Sequence, residues 1–189
     1  NEEFDIYRDK STGRKEYEFF KGTDDLHGMI NFNAHDVAGA KKITKSENEL
    51  IDLAKDYLSQ VYGDDFEKYT YEKITYDERG FVYRVRFLRY IDGFKIHDSI
   101  VVTLAKDGDL VAYFAEHIGE YDNFTFDVNE AADAKNELIA QAEARWQCPV
   151  EVLDFYLMYG ENGQKMAALT VLFEVPGGEG FKNTDYLTK

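Results

Sequence analysis

Residues Phe81 to Ile118 constrain the fold more than any other stretch, because they spell three consecutive strands joined by short turns. Tyr83-Arg84-Val85-Arg86-Phe87 alternates apolar and basic residues, the period of two that marks a strand with one wet face. Asp92-Gly93 breaks that run. Ser99 to Ala105 follows, rich in β-branched residues, with Ile100, Val102 and Leu104 on one face. Asp107-Gly108 then has the composition of a two-residue type I′ turn, in which both central residues take positive φ. Leu110 to Ile118 returns as the third strand.

A meander of this kind needs a partner for its apolar face, and the segment before it supplies one. Ser46 and Glu49 form a capping-box pattern at a helix start. Leu50, Leu53, Ala54, Tyr57, Leu58 and Val61 recur at spacings of three and four, giving a single apolar stripe that ends before Gly63. The spacing predicts a helix over about 47–62, lying on a sheet made of Tyr69–Tyr76 and the meander. Asp127 or Asn129 caps a second predicted helix, Glu130 to Gln147, with Ala131, Ala134, Leu138, Ile139, Ala142 and Trp146 on its apolar side. Val152–Tyr159 and Met166–Val175 read as a hairpin around Asn162-Gly163, and Tyr186-Leu187 begins a further strand. Near the start, Phe4–Asp9 and Glu16–Phe20 read as another hairpin. Lys21–Ile43 shows no clear period and reads as loop with a short strand at Met29–Phe32, and Gly177–Gly180 reads as a flexible exit or wide loop.

Strand blocks separated by single helices and joined by short turns indicate an α+β fold, with antiparallel sheets that each carry a helix on one face. The chain divides into an N-terminal hairpin and lead segment (1–43), a first helix-plus-meander unit (44–122) and a second helix-plus-hairpin unit (123–189).

Composition narrows the function. The net charge of −15 argues against nucleic acid, whose phosphates require clustered Lys and Arg, and against adsorption to anionic membranes. The longest apolar run, Met166 to Phe173, falls far short of the roughly 20 residues that span a bilayer. Cys148 stands alone, so no internal disulfide forms, and its setting beside Pro149 suits a small apolar packer better than a nucleophile. Aromatic residues make up 15% of the chain; most fall inside strand patterns and read as core, while a ligand face of exposed rings is the alternative.

Catalytic and metal patterns are missing: there is no His-Glu-x-x-His, no Gly-x-Ser-x-Gly and no phosphate-cradling glycine loop. His27, His35, His97 and His117 are widely spaced, although His97 and His117 could meet across the meander beside Asp98 or Glu116. The acidic pairs fall at predicted turns and lack the spacing of a calcium loop. The reading is therefore a non-catalytic chain with no cofactor and no metal. Arg84, Arg86 and Arg89 are the one basic feature. Arg84 and Arg86 share a strand face and Arg89 lies on the other; cross-strand pairing with Asp and Glu explains them better than a patch for an acidic partner.

Val85-Arg86-Phe87, Tyr90-Ile91-Asp92-Gly93, Ser99-Ile100-Val101-Val102, Lys106-Asp107-Gly108 and Leu110-Val111 follow the order of motifs in PepSY domains. The helix with Lys42-Ile43-Thr44 before it and Leu50 to Leu58 within it also resembles the lead helix of that family. The likeness covers about 44–118, and more loosely 127–175, and is similar to the tandem units of secreted Gram-positive proteins and to part of the propeptide of thermolysin-like metallopeptidases. Two positions depart from the family pattern. Phe94 stands where a small residue or proline is usual, and the second unit has no Asp-Gly turn.

The resemblance implies a bacterial, extracytoplasmic protein, secreted or at the cell surface, whose signal segment lies outside this chain. It implies a binding module that inhibits or chaperones a peptidase or cell-wall hydrolase. The alternative is a small-ligand or carbohydrate-binding domain that uses an aromatic sheet face. The candidate binding residues are Arg84, Arg86, Tyr90, His97 and His117.

Overall fold

The computed structural model describes residues 4–11, 13–24, 26–116, 120–160, 162–174 and 182–189. His117, the end of the third meander strand and the Gly177–Gly180 stretch lie outside the described residues. The fold is α+β, and among the described residues the strand pairs are antiparallel with one exception. The chain forms two units: residues 1–89 with 98–122, and residues 90–97 with 123–189.

In the first unit the helix α2 (Glu47–Tyr62) matches the predicted span, and its capping box is formed. Ser46 Oγ accepts from Glu49 N, and a Glu49 carboxylate oxygen accepts from Ser46 N at 2.8 Å. Its stripe residues Leu50, Ala54 and Leu58 are fully buried. They pack on Val85 and Phe87 of β5 (Val82–Ile91), Ile100, Val102 and Leu104 of β6 (Phe94–Ala105), and Tyr113 and Ala115 of β7 (Leu110–Ala115). The sheet continues on one side through β3 (Leu26–Asn31), β2 (Lys15–Phe20) and β1 (Phe4–Arg8). On the other side, β4 (Tyr69–Asp77) pairs with β5. The alternation that marked Ile100, Val102 and Leu104 is thus the alternation between helix-facing and outward-facing rows.

The two Asp-Gly turns exchange roles relative to the sequence expectation. Asp92 and Gly93 both take positive φ (48° and 81°), so the type I′ turn joins β5 to β6. At Asp107-Gly108 only Gly108 does (φ 94°). There Gly108 N donates to Ala105 O and Ala105 N to Asp109 O, which is a three-residue loop with a bulge at the glycine. The reason lies in register: β6 starts directly after Gly93, whereas β6 and β7 shift register between Thr103 and Leu104 and need one more residue.

The segment 21–43 also departs from expectation. It contributes all of β3 and then a short helix, α1 (Phe32–Val37), followed by a single 3-10 turn at Ala38–Ala40. Asn31 caps α1, its Oδ1 accepting from Ala34 N at 3.3 Å, and Ala34 and Ala38 are buried against Val82, Ala105 and Val111. Two small residues carry the packing, so no hydrophobic period shows in the sequence.

The second unit contains α3 (Val128–Trp146) on a sheet of β8 (Val150–Tyr159), β9 (Lys165–Glu174) and β10 (Lys182–Thr188), in that order. The first residues of β6 join it, pairing with β8 in parallel at Ile96 and Leu157. Asp127 is the α3 cap, accepting from Asn129 N and Glu130 N. Leu138 and Ala142 are buried, and the Trp146 ring stacks on Phe173 at 4.2 Å between centroids. Phe94, the residue that departs from the family pattern, packs edge-on against Phe126 and Phe155.

Because Leu58 has no exposed surface and sits against the sheet, Leu58→Ala should lower unfolding free energy by about 2–5 kcal/mol. Leu153→Ala, at a position half-exposed to solvent, should change it by less than about 0.5 kcal/mol. Urea titrations of the two variants would check the contrast, and equal effects would contradict this core.

Candidate functional site

The face of the first sheet turned away from α2 carries a groove of about 450 Å³. Register builds its floor. Ile30 of β3 lies opposite Ala112 of β7, and Ala112 opposite Thr103 of β6, so three short or branched side chains stand in one row. In the next row Gly28 lies opposite Phe114, and Phe114 opposite Val101. A Cβ at Gly28 would come within 2.4 Å of the Phe114 ring and 2.9 Å of Tyr113 O. The missing side chain at Gly28 therefore lets the Phe114 ring lie across β3.

One wall is α1, which contributes Phe32, His35 and Asp36; the other is the β4–β5 hairpin, which contributes Asp77, Gly80, Val82 and Arg84. Both walls are held by charge. Asp36 is bound by Arg14, whose Nε also donates to Asn33 Oδ1 at 2.9 Å. That hydrogen bond holds the Asp36 carboxyl below the usual carboxylate range. On the hairpin, Asp77 Oδ1 accepts from Arg79 N (3.0 Å) and Gly80 N (3.3 Å), and its Oδ2 accepts from Arg84 Nη2 at 2.7 Å. The Gly80 and Arg79 amides, with Arg84, keep the Asp77 carboxyl below its ordinary value. The turn then brings Phe81 to a positive φ of 56°, a costly conformation for an aromatic residue, and its ring covers Gly39 beside α1. The result is an apolar floor between two charged rims.

Each of the three arginines meets a carboxylate. Arg84 pairs with Asp77, and Arg86, on the same strand face, lies 3.7 Å from Glu72. Arg89 points the other way and is buried. Its Nη1 donates to Asp122 Oδ1 at 2.7 Å and lies 3.6 Å from Asp98, which has no exposed surface and accepts from the Tyr69 hydroxyl at 2.9 Å. Lys68 Nζ reaches Asp122 as well. Burial pushes the Tyr69 phenol up, and the Asp98 charge adds to that. For Asp122, burial pulls upward, but the hydrogen bonds from Arg89 and Lys68 outweigh it and leave the carboxyl below its usual range.

Of the five candidate residues, Arg84 lines the groove and Arg86 is two residues along the same face of β5. Tyr90 and His97 belong to the second unit. Tyr90 is exposed, and the His97 ring stacks on Tyr156 at 4.9 Å. His117 lies outside the described residues. Glu116, beside it, accepts from Ser99 Oγ at 2.7 Å. Among the described residues, no group of three or more His, Cys, Asp or Glu side chains could hold a metal, and no helix is long and apolar enough to cross a membrane. Sequence reading missed the α1 wall and the burial of Arg89. Asn31 followed by apolar Ala34 and Ala38 was the available signal for the first.

No family model matches the chain, and no curated protein matches it. Among solved structures, it is similar to the Bacillus megaterium YpeB C-terminal domain, at 15% sequence identity and a TM-score of 0.49. That match covers 96% of this chain and 81% of the other.

Two outcomes follow from this geometry. Gly28→Ala should displace the Phe114 ring and cost about 1–3 kcal/mol, read by denaturation together with loss of near-ultraviolet aromatic signal. Asp122→Asn should cost about 1 kcal/mol at pH 7, a modest value because the carboxylate is partly solvated. The folded pKa of Asp122 is depressed, so its contribution is complete above the unfolded value of about 4 and fades as pH falls through the folded one. The gap between wild type and variant should therefore close as pH falls below the unfolded value and through the depressed folded one, and a gap that widened on acidification would contradict the pairing.

Proposed function

We propose that the chain is a non-catalytic, PepSY-like binding module that acts outside the cytoplasm. In this reading it engages a peptidase or a cell-wall hydrolase and restrains or chaperones it. The groove on the first sheet carries the reading: an apolar floor of Ile30, Ala112, Thr103 and Phe114 between rims fixed by Asp36 and Asp77–Arg84 has the make-up of a site for an extended polypeptide segment. Further support comes from the helix-plus-meander arrangement, in which Tyr90-Ile91-Asp92-Gly93 ends in the I′ turn and the stripe of α2 covers the sheet. Arg84 and Arg86 are the proposed contact residues on this face. Their carboxylate partners make them directional hydrogen-bond donors and leave no net positive patch.

A second reading draws on Phe32 and Phe114, two rings in one groove, and makes the same surface a carbohydrate site.

The test is capture of extracytoplasmic proteins of the source organism on the immobilised chain, followed by assay of any captured hydrolase with added chain. Thr103→Tyr, which fills the groove from a strand position that accepts an aromatic residue, is the matched variant. Inhibition by wild type and its loss with Thr103→Tyr are expected. A captured hydrolase that is indifferent to the chain, or binding on a glycan array that Thr103→Tyr removes, would overturn the proposal in favour of the second reading.

A further inference from the structure

The second unit holds a larger cleft, of about 730 Å³, that the proposed function does not use. Its origin is the taper of α3. Toward its C-terminus the helix fills the space above the sheet with Leu138 and Trp146, but in its first half the sheet-facing positions are Ala131 and Ala134. Alanine leaves a gap that reaches down to Leu157 of β8 and Ala167 of β9, and the Phe124–Phe126 segment closes one side.

Charge is divided unevenly around this opening. The helix wall presents Asp127, Glu130, Asp133 and Glu137. Asp127 is committed to capping, and Glu137 is paired with Lys189. Glu130 and Asp133 have no ion-pair partner among the described residues. Of the two lysines on the opposite rim, Lys165 is also engaged, donating to Thr125 Oγ1 at 3.2 Å while its Nζ lies over the Phe124 ring. Lys165 keeps its positive charge in those contacts, so once Glu137 and Lys189 cancel, Asp127, Glu130 and Asp133 face one ammonium, and the cleft is net negative above an apolar floor.

We infer that this cleft takes a cationic, amphipathic peptide segment of a protein partner, with apolar side chains seated over Ala131, Ala134 and Leu157 and Lys or Arg side chains meeting Glu130 and Asp133. An anionic or purely apolar segment matches only half of the surface. The net charge of −15 would steer such a segment toward the protein. The site is separate from the groove in the first unit and stands or falls independently of it.

The probe is a fluorescein-labelled eight-residue peptide with two central leucines between arginines, beside a counterpart with glutamates, read by fluorescence polarisation on the full chain. The arginine peptide should bind, more weakly as salt rises, and the glutamate peptide should not. The double variant Glu130→Gln, Asp133→Asn should weaken binding about fivefold and flatten its salt dependence. Ala134→Leu should abolish binding by filling the cleft. Glu143→Gln on the solvent side of α3, and Thr103→Tyr in the other groove, should leave it unchanged. Failure of the arginine peptide to bind at low salt, or binding indifferent to both the charge pair and Ala134→Leu, would overturn the assignment.

Discussion

The burial of one helical stripe organises the first unit. Leu50, Ala54 and Leu58 lose all contact with solvent only if β5, β6 and β7 present Val85, Phe87, Ile100, Val102 and Tyr113 on one face. That requirement fixes the register of the meander, since a slip of one residue would turn every side chain to the other side. With register fixed, the outer face is fixed too. Ile30, Ala112 and Thr103 fall into one row, and the groove is a by-product of packing on the opposite surface.

Electrostatics refine this arrangement. The arginines of β5 divide between its faces, Arg84 and Arg86 outside and Arg89 within, and each face answers with carboxylates: Asp77 and Glu72 outside, Asp98 and Asp122 within. The buried set is the more demanding, because Asp98 has no access to water and its carboxylate must meet polar partners, among them the Tyr69 hydroxyl and Arg89. The outer set is partly solvated, and its Asp77–Arg84 pair orders the hairpin end that walls the groove.

Much of this was legible in the sequence wherever periodicity was strong. α2, with its capping box, and the strands of the meander could be read from spacing alone, as could α3 up to its cap. What escaped was structure carried by small residues or by distant partners. α1 packs through Ala34 and Ala38, which leave no hydrophobic signature, and β3 is held by pairing with β2 and β7. The choice between the two Asp-Gly turns depended on a register shift between Thr103 and Leu104 that no local rule encodes. The groove itself joins β3, β5, β6 and β7 with α1, so only the alternating arginines at its edge were visible beforehand.

Gly108 shows what such packing does to a single position. Its φ of 94° suits glycine, and a Cβ there would come within 2.7 Å of the Leu53 side chain on α2. The dihedral opposes other side chains more firmly than the contact does, because the Leu53 methyl is the end of a flexible side chain that can shift. A compensating change at Leu53 would relieve the contact but not the dihedral, and a turn of another type would relieve the dihedral only by moving the register. Any side chain at this residue would carry the dihedral strain whatever its neighbours do, whereas Asp107 beside it, free of a positive φ, is held through its side chain by the ion pair with Lys41.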